Sequence, residues 1–534
     1  MKTIHVIILS CLCSFAVLAQ NRYYVSQTKG NDTNDGLSWS NAFATLQMAI
    51  DKVEADDTIW VSAGTYLPSK KLYEFDNEGV PTIPRHQTFL IPNGVKLYGG
   101  FPAQADNNTG MDKRDWTIHT TMLSGDLNND DKEDFTHMED NVYRVIFLLN
   151  TDESTVIDGF TITGGHSDNP VLPSMLGGSG IYAFSTNGPS SPTLRNLIIE
   201  GNISKGGGAG FSNYASDGDA CPVIYNTIIR RNKSGEYGGG FANNGRTKSS
   251  PVLENVIISG NEAYNGGGMY CFSEASETSP VFTNVLICGN KAENRAGGVY
   301  LNSYMGSVKP VITHTTISGN KAGARGIGNG GGLYCLANTN ISSPILRNTV
   351  IWGNKAIEYN NFHNVGIDGS KPDMQYSWIP DYMTYPAMGA LPDFDPKFIN
   401  AVDANIAPTT EGDYRPDNGS PLINMGNNTF VTTTIDLAGK PRIFDQTVDI
   451  GAYEYQALSS AGILSTVAEK KIWSEAGNLY VRIEQPTIVR IYSIDGILVQ
   501  QLNMSEGIRA ISLPSGFYLV SLNNEMSAKV YVLK

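Results

Sequence analysis

The apolar and polar positions of this chain repeat over long distances more clearly than they alternate locally. The phrase Ser191-Pro192-Thr193-Leu194-Arg195-Asn196-Leu197-Ile198-Ile199-Glu200-Gly201-Asn202, followed by glycines 206 to 208, returns several times in altered form. Its last asparagine recurs as Asn202, Asn232, Asn261, Asn290, Asn320 and Asn354, at spacings of 30, 29, 29, 30 and 34. Between these marks stand short β-rich pieces and glycine clusters, with no helical period. A period of ~30 residues describes one rung of a solenoid better than a propeller blade of ~40 or more. Parallel pairing of successive rungs, with the usual crossover hand, predicts an all-β, right-handed parallel β-helix.

The columns of this repeat predict side-chain directions. Ile199, Ile229, Ile258, Ile287, Ile317 and Ile351 stand three residues before each asparagine and should face inward. The next column, Glu200, Arg230, Ser259, Cys288, Ser318 and Trp352, should face outward, which makes Cys288 an exposed thiol. After the glycines, Met269 and Cys271, Val299 and Leu301, and Leu333 and Cys335 flank tyrosines that would then point out. Cys271 and Cys335 fall in one inner column two rungs apart. At ~4.8 Å per rung their Cα atoms lie beyond the ~7 Å reach of a disulfide, so both are expected to be free and buried.

Outside the repeat the pattern changes. Phe43, Leu46, Ile50 and Val53 share one helical face, predicting a helical cap over residues 41–54. Residues 356–455 lose the repeat and are expected to close the other end. Residues 456–467 read as linker. In residues 468–534, alternating segments such as Leu479-Tyr480-Val481-Arg482-Ile483 and Ile488-Val489-Arg490-Ile491-Tyr492 predict a small β-sandwich of about seven strands.

Composition adds limits. With 52 acidic and 38 basic residues the net charge is −14, which argues against nucleic acid as a partner. Residues 1–19 have the order of a secretory signal peptide, cleaved near Ala19. Ile8-Leu9-Ser10-Cys11 offers a lipoprotein reading, at the expense of a shortened apolar region. No later stretch reaches the ~18 apolar residues that cross a bilayer as a helix. The mature chain, residues 20–455 with its tail, keeps Cys221, Cys271, Cys288 and Cys335.

Several phrases carry a resemblance. Tyr23-Tyr24-Val25-Ser26, Asn31-Asp32-Thr33-Asn34-Asp35-Gly36-Leu37-Ser38-Trp39, Ala63-Gly64-Thr65-Tyr66, Lys113-Arg114-Asp115-Trp116, Leu123-Ser124-Gly125-Asp126, Asp158-Gly159-Phe160-Thr161-Ile162 and Asp449-Ile450-Gly451-Ala452-Tyr453-Glu454 are the relevant ones. Together they resemble the secreted pectate-lyase-like β-helix proteins of Bacteroidetes-type bacteria. That resemblance implies fold and not activity, and Asn424 stands where its pattern has an aspartate. The tail, through Val489-Arg490-Ile491-Tyr492-Ser493-Ile494-Asp495-Gly496, Leu513-Pro514-Ser515-Gly516-Phe517-Tyr518 and Lys529-Val530-Tyr531-Val532, resembles the sorting domain of the type IX secretion system. It implies export by that machinery, removal of the tail, and release or attachment at the outer cell surface.

Three groups of residues offer chemistry. Tyr182, Phe211, Phe241, Tyr270, Tyr300 and Tyr334 read as an outward aromatic column, either a stripe on which sugar rings stack or a ladder stacked on itself. The asparagine column reads as a structural ladder at one corner of each rung. Asp126, Asn128 and Asp130 space oxygen ligands at alternate positions, as calcium requires, or form a solvated acidic loop. Asn150-Thr151-Asp152 is similar to one triplet of polygalacturonases, but the companion motifs are missing. The regular rungs without a catalytic cluster favour a non-catalytic surface protein that binds glycan or another extracellular partner. The alternative is a polysaccharide lyase or glycoside hydrolase on the same fold.

Overall fold

A computed structural model describes residues 20–71, 83–168, 177–323, 328–338, 340, 342–365, 372–380, 395–456, 472–475, 478–483, 485–493, 497–522 and 525–532. The signal segment and nearly all of the expected linker lie outside these residues. The chain divides into two compact units, Met1–Gln456 and Ala457–Lys534.

The first unit is a parallel β-solenoid with three walls. One rung runs through Val223–Arg230 on the first wall, Lys233–Ser234 on the second and Phe241–Gly245 on the third. Val252–Ser259 then begins the next rung in parallel register. The first wall bends in mid-strand at Asn226, Asn255, Asn284 and His314, whose φ values are 47°, 56°, 52° and 47°. Asparagine tolerates this left-handed conformation better than other side chains. At the bend the asparagines also bond between rungs: Asn284 Nδ2 donates to Asn255 Oδ1 at 3.0 Å. The first-wall sheet continues from Arg22–Val25 to Asp373–Gln375, so rungs exist well beyond those marked by the repeat.

The interior confirms the columns assigned inward. The isoleucines at 199, 229, 258, 287, 317 and 351 belong to one hydrophobic core with Met269, Cys271, Val299, Leu301, Leu333 and Cys335. Cys271 and Cys335 are free, with Leu301 on the rung between them. The corner asparagines form a continuous buried ladder. Asn261 Oδ1 accepts from the backbone N–H and the side-chain amide of Asn232, each at 3.0 Å, and Asn290 Oδ1 does the same for Asn261 at 3.0 and 2.9 Å. Asn361 receives the last of these bonds, from Asn354. The glycine cluster belongs to the same device: a Cβ on Gly240 would stand 2.9 Å from Asn261 Nδ2. Only a residue without a side chain lets the next asparagine seat there.

Three expectations need correction. The helix spans Leu46–Ile50, not 41–54, because Thr45 caps it and Phe43 is committed to a bridge with Val25. Residues 356–455 do not simply close the end. Phe362–Val365 and Asp373–Gln375 build a further rung, and the following segment returns along the outer face of the first wall. There Thr409 N–H bonds to Gly289, Asn284 Nδ2 to Ile435, and Ala452 N–H to Thr316 Oγ1. Cys288 points outward as its column requires, yet this returning segment buries it against Leu286 and Tyr414. Burial raises its thiol pKa to about 12.

The second unit is all antiparallel. Ile472–Glu475, Asn478–Ile483 and Gly507–Ser512 form one sheet. Leu498–Met504, Thr487–Ser493, Gly516–Leu522 and Glu525–Val532 form another. Leu479, Val481, Val489, Ile491, Ile511 and Val520 share its buried cluster.

Candidate functional site

The aromatic column is not one column. On the third wall Phe211 pairs with Phe241 and Phe241 with Met269, whereas Tyr182 pairs with Ser212, and Ala242 with Tyr270. Phe211 and Phe241 therefore belong to the inner core, where their rings stack at 4.7 Å. Counting from the last glycine separates the two sets: the phenylalanines follow it directly, and the tyrosines come one residue later. Tyr182, Tyr270, Tyr300 and Tyr334 do point outward. Tyr270, Tyr300 and Tyr334 are only 3–5% exposed, packed edge to face on one another and on Ala296. Tyr182 is half-buried beneath Arg144, whose guanidinium lies 4.2 Å from the ring centroid. The outward tyrosines form a covered ladder and do not present a stripe of free ring faces.

The acidic segment sits at the corner between the first and second walls. His166 Nδ1 lies 2.7 Å from the Met138 carbonyl, and Arg85 Nε donates to the Asn141 carbonyl at 2.6 Å while its Nη2 pairs with Asp168 at 2.6 Å. Thus anchored, the segment folds on itself: Asp126 accepts the backbone N–H groups of Asp130 and Asp131 at 3.2 and 3.1 Å. One carboxylate oxygen each from Asp126, Asp130 and Asp131 lies within 4.8 Å of the others. Asp130 Oδ1 and Asp131 Oδ1 are buried without a hydrogen bond. Asn128, expected among the ligands, is exposed and turns its backbone N–H to Asp140 at 2.9 Å. The set therefore fits a hard cation with Asp131 in place of Asn128, and supplies three of the 6–8 oxygens calcium takes.

Burial pushes Asp131 up to about 6, with Asp126, Asp140 and Asp130 adding to the shift. Its folded value exceeds the unfolded one near 4. Its stabilising contribution is accordingly full below about 4 and is lost as pH rises through about 6. In chelator, Asp131→Asn should flatten this part of the dependence of the thermal midpoint between pH 4.5 and 7. An unchanged profile would remove Asp131 as its source.

Beside this segment lies a cleft of about 410 Å³ lined by Glu133, Asp134, Phe135, Arg231, Lys233 and Glu262, with Pro408–Thr410 of the returning segment opposite. A smaller recess of about 190 Å³ is lined in part by Asp131, Glu200 and Arg231. Glu200 is held ionised by Arg230 and Arg231, at 2.7 and 2.8 Å, against the opposing effect of burial. Glu262 pairs with Lys291 at 3.3 Å. The cleft thus brings donors, acceptors and one aromatic ring to a concave surface. Sequence reading missed Glu200, Arg231, Lys233 and Glu262, although all lie within two positions of a ladder asparagine.

The other landmarks are structural. Asp158 accepts from Arg114, from Arg195 at 2.7 Å and from Asn196 at 2.7 Å, joining two of the quoted phrases. Asp449 accepts the Asn424 and Tyr455 backbone N–H groups at 2.6 Å each. Asn150 Oδ1 accepts the Thr186 backbone N–H of the next rung at 2.8 Å, and Asp152 accepts the Ser154 backbone N–H at 2.9 Å in a local turn.

No protein-family model matches the chain, and no curated protein sequence matches it. Among solved structures it is similar to pectate lyase Pel9A at 14% identity, over 83% of this chain and 98% of that one, with a TM-score of 0.46. A rhamnogalacturonan lyase is 11% identical over 71% of this chain and 90% of its own, with a TM-score of 0.31. XylC in complex with xylose is 10% identical over 81% and 99%, with a TM-score of 0.30. Among the described residues, no helix is long and apolar enough to cross a membrane.

Proposed function

We propose that this is a secreted β-helix protein of the outer cell surface, exported by the type IX machinery with loss of its tail, which binds a glycan without cutting it. The observation that carries the binding role is the cleft of about 410 Å³ with Glu133, Asp134, Arg231, Lys233 and Glu262 around Phe135. A sugar offers a hydroxyl rim that needs both donors and acceptors, and apolar C–H faces that suit an aromatic ring. Arg230 and Arg231 hold Glu200 below its usual value and Thr136 does the same for Asp134, which leaves both as acceptors and not proton donors, while Glu262 is tied to Lys291. Calcium, held by Asp126, Asp130 and Asp131, would brace the segment that forms one side of the cleft.

Arg231→Ala should weaken binding to the preferred polysaccharide about tenfold, equivalent to about 1.4 kcal/mol. Lys52→Ala, on an exposed site elsewhere, should leave it unchanged. Affinity electrophoresis of the full chain in gels containing neutral and uronic polysaccharides reads both. Equal retardation of Arg231→Ala and the parent would reject the cleft.

A catalytic reading keeps one specific observation in its favour. Asp131, raised to about 6 beside the recess lined by Glu200 and Arg231, is a carboxyl placed to serve as a general acid in a lyase or hydrolase. New sugar ends formed by the parent and not by Asp131→Asn would establish it.

A further inference from the structure

We propose that the third wall carries a separate slot for a single pyranose ring between Tyr214 and Phe272, with Asn244 at its base. This rests on the reading of the protein as a glycan binder but uses a different wall from the cleft. The residues share an outward column in continuous register, Phe184, Tyr214, Asn244, Phe272, Asn302 and Leu336. Phe184 and Tyr214 stack at 5.7 Å with planes 9° apart. At Asn244 the aromatic run stops for one rung and resumes at Phe272. Tyr214, Asn244 and Phe272 are each half-buried, and so reachable from solvent.

The base of the slot is polar and uncommitted. Asn302, two rungs later in the same column, donates to the Tyr270 hydroxyl at 3.1 Å, from the preceding rung. The position corresponding to Tyr270 on the rung before Asn244 is Ser212, which is too short to reach. Among the described residues the Asn244 amide has no hydrogen-bond partner. Arg246 and Glu274 form an ion pair at 3.2 Å that bridges the same two rungs, each two residues beyond the slot's Asn244 and Phe272.

Spacing selects the ligand class. Tyr214 and Phe272 are two rungs apart, ~9.6 Å at ~4.8 Å per rung. A guest ring centred on the Asn244 rung would lie ~4.8 Å from each. A flat aromatic guest in contact on both faces needs only ~7–8 Å and would leave the slot loose. A saturated pyranose is thicker by its axial hydrogens, and its hydroxyls would meet the Asn244 amide, a donor and an acceptor in one group.

The test is saturation-transfer NMR on the full chain with methyl β-D-glucopyranoside and methyl β-D-galactopyranoside. Transfer to the ring C–H protons of at least one glycoside is expected. Asn244→Phe, which continues the aromatic column and fills the slot, should abolish it, and Phe272→Ala should weaken binding at least fivefold. Arg231→Ala should keep the glycoside signal while losing polysaccharide retardation. No transfer to either glycoside in the parent would overturn the slot, as would unchanged transfer in an Asn244→Phe variant with parental circular dichroism and melting. If the slot fails while Arg231-dependent retardation persists, the cleft stands without it; a glycoside signal without retardation would support the slot and reject the cleft.

Discussion

Asp158→Ala should destabilise the β-helix by about 3–5 kcal/mol, the usual cost of removing one partner from a buried ion pair. Asp158 is 2% exposed and lies between Arg114, whose side chain is 13% exposed, and Arg195. Alanine leaves the Arg114 guanidinium under the surface with no compensating charge, while Asn196 loses its acceptor. The half-exposed Arg195 can turn to water and should contribute little. Arg114→Leu alone should also destabilise, because Asp158 then stays buried with weaker partners. The double variant should recover part of the loss, since it takes both charges from the interior. Urea denaturation of the full chain, followed by circular dichroism, reads all three. Additive losses in the double variant would mean that Asp158 and Arg114 act independently.

Asn261→Ala should cost about 3 kcal/mol through a different cause. The Asn232 backbone N–H donates only to Asn261 Oδ1, in the interior, and would be left unsatisfied. A buried donor without a partner costs ~1–3 kcal/mol, and the lost bonds from Asn261 Nδ2 to Ile229 and Asn290 add to it. Asn418→Ala, on an exposed turn, should stay within ~0.5 kcal/mol of the parent. A loss below about 1 kcal/mol at Asn261 would show that water or a shifted rung replaces the ladder bond.

These two sites differ in how far the sequence revealed them. The asparagine ladder was legible because each rung repeats it, so register alone placed Asn202 through Asn354 at one corner. The isoleucine column and the free Cys271 and Cys335 followed from the same register. Asp158 occurs once, and nothing in its spacing joins it to Arg114, whose approach depends on how the loop between Lys96–Phe101 and Thr121–Ser124 folds. Cys288 shows the limit of a column argument: alternation gives the side-chain direction, but burial depends on the segment that returns over the first wall, which has no repeat to locate it. The phenylalanines were misplaced by counting from the cluster and not from its final glycine, a one-residue slip that exchanges inside for outside. The cleft was hidden for a related reason. Arg231 and Lys233 are legible as outward charges beside the ladder, whereas Glu133 to Phe135 reach them only through the tertiary placement of the acidic segment.

The measurement that bears most directly on glycan binding without cleavage pairs retention with product analysis. The parent and Arg231→Ala chains are incubated with a panel of neutral and uronic polysaccharides, with and without calcium, and scored for affinity retardation, new reducing ends and unsaturated ends. The account predicts that the parent is retarded by at least one polysaccharide, that Arg231→Ala is retarded about tenfold less, and that neither chain forms new ends under any condition. New reducing or unsaturated ends from the parent on any member of the panel would contradict it and make the protein an enzyme.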